Sequence, residues 1–482
     1  MTNARAIRDA IVKTLPEETS LFGAAPEPRF VHVPASHAKA LHPDVQVVKG
    51  MRGAGKSFWW AALQDRAIRR LVAQRTPSLR WFEQANIHVG FGEKSDPGRY
   101  PGRDVLQDLL YQDHDARLIW KTVVLHALGA PWLESVSSWQ KRIDAVVERS
   151  EEVERFLFEQ DDSLHQRDEV AIVVFDALDR SASDWDTMNR LVRGLLQTAL
   201  DLRPYRRLRI KCFLRTDQIE ERTVATFPDA SKVLSSALEL TWPVTELYAM
   251  FFQYLGNASD GVFREYVEQH GHLKWRQIEG LWLADDALVR NEETQRKFFH
   301  EITGEWMGRD RRRGDPYRWV PGHLADGAGR TSPRSFLAAL HTAAEDSGRR
   351  YPDHERALHY ESIKRGVQQA SRIRQRELQE DVPWVDALLS PLQGQVVPCA
   401  FEDVAARWKE SRVVDRLGGS DEQGRLPPAH LSEGLDGLRA DLEALGVFVR
   451  MNDGRVNIPD LFRVAYGIGR RGGVKPLRRE EG

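Results

Sequence analysis

Cysteine is nearly absent from this chain: two of 482 residues, Cys212 and Cys399, far apart and in no CxxC or Cys/His spacing. That excludes a disulfide-stapled scaffold and a thiolate zinc site. Charge of one sign is not in excess either. Lys and Arg number 69 against 71 Asp and Glu, a formal charge of -2, so no global field draws the protein toward nucleic acid or acidic lipid, and such binding would have to be local. Long apolar runs are missing: no stretch nears the roughly 18 uninterrupted apolar residues that span a bilayer. Met1 to Pro16 mixes Arg5, Arg8, Asp9 and Lys13 with short apolar steps, unlike a secretory signal. A cytoplasmic protein without membrane contact is expected. The 15 histidines include no HExxH and suggest no metal ligand, and neither internal repeats nor low-complexity tracts occur.

What is present suffices for a core. With 41% hydrophobic and 29% charged residues the composition is that of an ordinary globular protein, and the length suggests about three domains. Val45 to Val48 reads as a strand running into Gly50, and Ser57 to Val72 as a helix. Ile87 to Phe91 reads as a second strand, ending at Gly92 and a Pro/Gly-rich loop from Asp96 to Gly102. Helical patterns follow at Arg117 to Leu128 and Trp139 to Phe158. Val170 to Phe175 is wholly apolar, as in the middle of a parallel sheet, and runs into Asp176. A helix from about Asp186 to Leu202 and strands at Leu208 to Leu214 and Leu238 to Thr241 complete an alternation. That alternation implies an α/β fold with a parallel sheet and right-handed crossovers.

Beyond Pro243 the pattern turns helical to about Arg374, with polar joints at Arg309 to Asp315 and Gly322 to Gly329. Helices then read at Trp384 to Leu389, Phe401 to Lys409 and, after a Gly/Pro-rich joint from Gly418 to Pro428, Leu431 to Leu445. Short strands at Val447 to Met451 and Arg455 to Ile458 flank Asn452-Asp453-Gly454. Asn-Asp-Gly between apolar runs is a hairpin turn, and helix followed by hairpin is the order of a winged helix. The expected division is an N-terminal segment 1–43, a core 44–243, a helical lid 244–380, a winged helix 381–470 and a flexible basic tail 471–482, with Gly467, Gly469, Gly472 and Gly473 loosening the segment after the wing.

The segment Gly50-Met51-Arg52-Gly53-Ala54-Gly55-Lys56-Ser57 matches G-x-x-x-x-G-K-[ST]. Its glycines would turn backbone N–H groups toward phosphates, Lys56 would reach the β- and γ-phosphates, and the Ser57 hydroxyl would hold Mg²⁺. The following helix adds the positive end of its dipole. The expected nucleotide contacts are Gly50, Gly53, Gly55, Lys56, Ser57 and Phe58. Asp176, at the carboxyl end of the most apolar strand, is the candidate for the metal-directed acid. The alternative is a helix cap. Asp179 could polarise an attacking water, cap the next helix or pair with Arg180. Arg215 or Thr216, at the end of the Leu208 to Leu214 strand, could sense the γ-phosphate or be a polar turn. Trp59 and Trp60 read as packing residues, and His37 and His42 precede the first strand with nothing to tie them to a ligand.

Together the loop, the strand ending in Asp176 with Asp179 three places on, the polar strand end, the lid and the winged helix resemble the AAA+/STAND branch of P-loop ATPases over roughly residues 30 to 470. Asp176-Ala177-Leu178-Asp179 looks like the STAND version, with a second acid shortly after the Walker B aspartate. The resemblance implies ATP, Mg²⁺, nucleotide-dependent assembly with itself or with an effector partner, and switch-like behaviour, often in bacterial antiviral or conflict systems. It also implies a sensor 2 role for Arg334, in Thr331-Ser332-Pro333-Arg334, reaching back to the nucleotide; the alternative is plain surface charge. Where AAA+ proteins have a glutamate, this chain has Ala177, which implies a slow switch rather than a fast motor. No arginine finger stands out between Arg180 and Arg222.

Two other functions fit the pattern: a DNA-directed ATPase of initiator or loader type, and a nucleotide-binding scaffold with little turnover. Arg309, Arg311, Arg312 and Arg313, or Arg470, Arg471, Lys475, Arg478 and Arg479, could touch DNA phosphates. Against this, the expected recognition helix carries Glu433, Asp436, Asp441 and Glu443 beside only Arg439, which would repel a duplex.

Overall fold

The computed structural model describes residues 2–16, 25–219, 224, 226–417 and 425–477. The chain divides into two compact units. One comprises Leu21–Thr241 with Ser420–Leu426, and the other Met1–Ser20, Trp242–Gly419 and Pro427–Gly482.

The first unit is built on five parallel strands, β1 (Val47–Gly50), β2 (Ala85–Phe91), β3 (Val170–Phe175), β4 (Leu208–Arg215) and β5 (Leu238–Glu239). Their order across the sheet is β2-β3-β4-β1-β5. Every residue of β3 is buried, so both sheet faces are covered there, and that is why the segment is an unbroken apolar run. Phe91 and Phe175 each meet Trp120 edge-on in the core, with ring centroids 5.8 and 5.6 Å from it, within the range favoured by aromatic quadrupoles. One strand departs from apolar character. Lys211, in the middle of β4, is fully buried and donates from Nζ to the carbonyls of Ala40, His42 and Val45 at 3.0, 3.0 and 2.6 Å. Burial pushes its ammonium down to about 7, and the three carbonyls satisfy it while fixing the segment that leads into β1.

Labelling helices along the chain, α1 is Thr2–Thr14, α2 Ala35–Leu41, α3 Lys56–Gln64 and α4 Arg66–Arg75. The single helix expected over Ser57 to Val72 is thus two. Asp65 takes an extended conformation and accepts from Ile68 N at 2.9 Å, so it caps a new helix instead of continuing the old one. The expected helix Trp139 to Phe158 also breaks, at Arg149, into α5 (Trp139–Glu148) and α6 (Ser150–Gln166). Helix α7 (Trp185–Leu202) is capped by Asp184, which accepts from Thr187 N at 2.8 Å.

The second unit is mostly helical. Its long helices α8 (Pro333–Arg350) and α9 (Tyr360–Asp381) pack along each other, and α1 packs on α8. Arg8 on α1 donates to Ala357 O at 2.8 Å, so residues 2–16 belong with this unit although the sequence places them ahead of the core. A hairpin, Arg276–Ile278 with Leu281–Leu283, lies within the stretch expected to be all helix. At the C-terminal end come α10 (Pro383–Leu389), α11 (Phe401–Glu410), α12 (Gly434–Ala444) and an antiparallel pair, Val449–Arg450 with Val456–Asn457. The turn closes through Gly454 at φ 84, where glycine carries no steric penalty. This is the winged-helix order. No described helix is long and apolar enough to cross a membrane. The fold is therefore a parallel-sheet P-loop NTPase core followed by a helical region and a C-terminal winged helix.

Candidate nucleotide site

Strand β1 ends at Gly50 and α3 begins at Lys56, so residues 51–55 form a turn at the carboxyl edge of the sheet. Gly53 and Gly55 sit at φ 78 and 105, a region L side chains rarely enter, and this spacing of glycines allows the tight turn. Lys56 folds back over the loop, donating from Nζ to Gly50 O at 2.9 Å and Met51 O at 3.0 Å. Burial lowers its pKa to about 8, with Asp176 opposing the fall.

Strand order brings the rest of the site together. Because β4 lies between β1 and β3, and Gly50 pairs with Arg215 in register, the end of β4 projects beside the loop. Asp176, at the end of β3, is 3% exposed and hydrogen-bonded to the Ser57 hydroxyl. Burial pushes its carboxyl up to about 6, against the pull of Ser57 and Lys56. Asp179 lies 3.5 Å from Arg215. Burial would raise its pKa as well, but Arg215, Arg52, Lys56 and Arg180 outweigh burial and hold it below the usual carboxylate range.

Arg215 is clamped by Asp217, donating from Nε at 2.9 Å and from Nη2 at 2.6 Å, while its backbone N–H donates to Gln218 Oε1 at 2.8 Å. The clamp holds one edge of the guanidinium, so Nη1 is the atom turned to Asp179. Arg180, which the sequence would pair with Asp179, instead meets Glu93 at 2.8 Å. The helix-capping role open to Asp179 falls to Asp184. Asp217 and Glu93 carry no motif. Each becomes visible only when the sheet order sets strand ends side by side.

The oxygen donors fit a hard divalent cation. Ser57 and Asp176 would hold Mg²⁺, which completes its coordination with phosphate and water. No cluster of three or more His, Cys, Asp or Glu ligands occurs among the described residues. The two shifted groups set a pH window. With Asp176 as the Mg²⁺ ligand and Lys56 on the phosphates, binding of a Mg-nucleotide would need Asp176 ionised and Lys56 protonated. Affinity should therefore weaken as pH falls through about 6 and again as it rises through about 8, approaching tenfold per pH unit on each limb. Calorimetric titrations from pH 5 to 9.5 that gave a flat profile would contradict this.

The remaining candidates divide between packing and other partners. Trp59 and Trp60 are 2% and 7% exposed and donate to His37 Nδ1 and Phe91 O at 2.9 and 3.1 Å, so they are core residues. His37 is buried, and its pKa is pushed by burial down to about 3, which keeps it neutral. His42 lies 3.6 Å from Asp44. Phe58 follows Ser57 on α3 and packs edge-on to Trp59 at 5.2 Å. Arg334 opens α8 in the other unit, where Glu377 receives it at 2.7 Å and Arg374 at 2.9 Å. Burial would raise the Glu377 carboxyl, but these two guanidiniums hold it low.

On α12, Leu438 and Leu442 are buried. The single basic residue, Arg439, is engaged by Asp436 at 3.3 Å and Glu443 at 3.7 Å and lies over the Phe401 ring. The helix expected over Leu431 to Leu445 is shorter, because Gly434 at φ 69 separates it from a short turn at 431–433. Arg309, Arg311, Arg312 and Arg313 are exposed, as are Arg471 and Lys475, and Arg470 lies 3.7 Å from Asp460. Arg222, Arg478, Arg479 and most of the Gly418 to Pro428 joint lie outside the described residues.

Fold and site together define a P-loop nucleoside-triphosphatase core. No protein-family model matches the chain, and no curated protein sequence does. Among solved structures it is similar to the ORC2 protein of Aeropyrum pernix, described as ADPNP-ADP complexes. Identity is 12%, coverage 90% of this chain and 94% of that one, and the TM-score 0.36. It is also similar to Cdc6p from Pyrobaculum aerophilum, at 12% identity, 86% and 83% coverage and a TM-score of 0.29. At such overlaps the chemistry rests on this chain's own residues.

Proposed function

We propose that this chain is an ATP-binding molecular switch of the AAA+ type that hydrolyses ATP slowly and controls assembly with itself or with a partner effector. The observation that carries the reading is the convergence of Lys56, Ser57, Asp176, Asp179 and Arg215 on one edge of a parallel sheet, around a loop that turns through Gly53 and Gly55 at φ 78 and 105 into the N-terminus of α3. Lys56 and Arg215 supply positive charge where the β- and γ-phosphates would lie, and Ser57 with Asp176 would hold Mg²⁺, which offsets phosphate charge when bound. Ala177, in place of an acid directly after Asp176, supports slow turnover. The short Asp176 to Asp179 spacing supports the STAND variant, and with it a role in antiviral or conflict defence.

A DNA-directed ATPase is the second reading, favoured by the winged helix and opposed by the acidic, internally paired surface of α12. The test is a titration with a fluorescent ATP analogue with and without Mg²⁺, followed by single-turnover hydrolysis and size-exclusion chromatography with and without ATP. Mg²⁺-dependent binding, slow turnover and an ATP-dependent change in size are expected. Absence of binding would end the reading. Turnover stimulated by duplex DNA, with binding that weakens steeply with salt, would replace it with the second.

A further inference from the structure

The acid that AAA+ sites carry after the Walker B aspartate is missing at position 177, and Asp179 does not fill the gap well. Asp179 is paired with Arg215 at 3.5 Å, and Arg215, Arg52, Lys56 and Arg180 hold its carboxyl below the usual carboxylate range, so it takes up a proton poorly. The neighbouring strand supplies another candidate. Phe91 on β2 pairs with Phe175 on β3, and Asp176 N donates to Phe91 O at 3.2 Å. Glu93 and Ala177 each follow two residues after that last pair, and the Glu93 carboxylate reaches Arg180, the residue next to Asp179, at 2.8 Å, so Glu93 leaves β2 beside the turn that carries Ala177 and Asp179.

Its backbone is tied to the phosphate-loop helix. Trp60 on α3 donates to Phe91 O at 3.1 Å, and its ring lies so close to Gly92 that a Cβ there would come within 2.5 Å of it. Any other residue at 92 would push β2 away from α3. The carboxylate of Glu93, 21% exposed, is held by Arg180 at 2.8 Å, while Arg180 itself is 56% exposed and able to move into solvent.

We propose that Glu93 is the catalytic carboxylate, standing in from β2 for the acid absent at 177, and that Arg180 restrains it in the nucleotide-free protein. The proposal rests on the reading of the site as an ATP hydrolase. In the step, the oxygen of water bonds to the γ-phosphorus and one water proton passes to Glu93. The bond from that phosphorus to the bridging oxygen breaks, and ADP leaves with the electron pair. Lys56 and Arg215 offset the charge that develops on the phosphoryl oxygens. Loss of a positioned general base costs 10² to 10⁴ in rate.

In the full chain, Glu93→Gln should bind ATP within about twofold of wild type and slow single-turnover hydrolysis by about 10²-fold. Arg180→Ala should hydrolyse at least as fast as wild type, because it frees the acid. A Glu93→Gln protein that binds ATP and turns it over at the wild-type rate would overturn the assignment and leave the ATPase reading standing. So would an Asp179→Asn protein that alone loses turnover, which would make Asp179 the base. Wild-type protein that fails to bind ATP would remove both the assignment and the reading beneath it.

Discussion

Lys56→Ala should lower ATP affinity by about 10³-fold while leaving the fold intact. The ammonium now donates to Gly50 O and Met51 O, a pair of neutral acceptors that anionic phosphates would displace. Each charge-assisted hydrogen bond to a charged partner contributes about 1.5–3 kcal/mol. Two of them amount to three decades or so in a dissociation constant, at about 1.4 kcal/mol per decade. The variant should keep its tertiary structure, because the loop is shaped by Gly53 and Gly55 rather than by the lysine. Isothermal titration against ATP, beside a thermal melt, decides the matter. An affinity within threefold of wild type in a folded protein would remove the phosphate-loop argument altogether.

The second large effect is expected at Asp176. Asp176→Asn keeps the shape of the side chain and a hydrogen-bonding oxygen for Ser57, but it removes the negative charge that would hold Mg²⁺. A bound metal ion contributes several kcal/mol of transition-state charge stabilisation, so turnover should fall about 10³-fold. ATP measured in EDTA should bind the variant as tightly as it binds wild type, or more tightly, since the carboxylate opposes a free polyanion. The informative comparison is the ratio of affinities with and without Mg²⁺, which should approach one in the variant. A preserved Mg²⁺ dependence would move the metal to another group.

Much of the first unit could be read from local patterns. The strand at Val170 to Phe175 needed no tertiary information, because a segment buried on both faces must be apolar throughout. Gly50 to Ser57 could likewise be read directly, because backbone at φ 78 and 105 calls for glycine, and a phosphate-facing turn needs a lysine and a hydroxyl at fixed spacing. Element ends were less legible. Asp65 and Arg149 interrupt apolar periodicities that continue across them, and an N-cap or a kink leaves that periodicity almost unchanged. The hairpin at Arg276 to Leu283 is too short to impose a clear alternation.

Partnerships among the charged side chains were not legible. Asp179 next to Arg180 in sequence suggested a pair, yet Arg180 meets Glu93 and Asp179 meets Arg215. The reason is the order β2-β3-β4-β1-β5, which sets residues 93, 176, 179 and 215 at adjoining strand ends although more than 120 positions separate the first from the last.

By itself, then, the sequence determined which residues could carry phosphate chemistry, since backbone conformation and side-chain type are local properties of Gly50 to Ser57 and of the run into Asp176. Only the tertiary structure decided which charges face one another, and with them how strongly each group holds its proton. Coulomb interactions and desolvation depend on distance and burial in space, and strand order, not chain order, sets both.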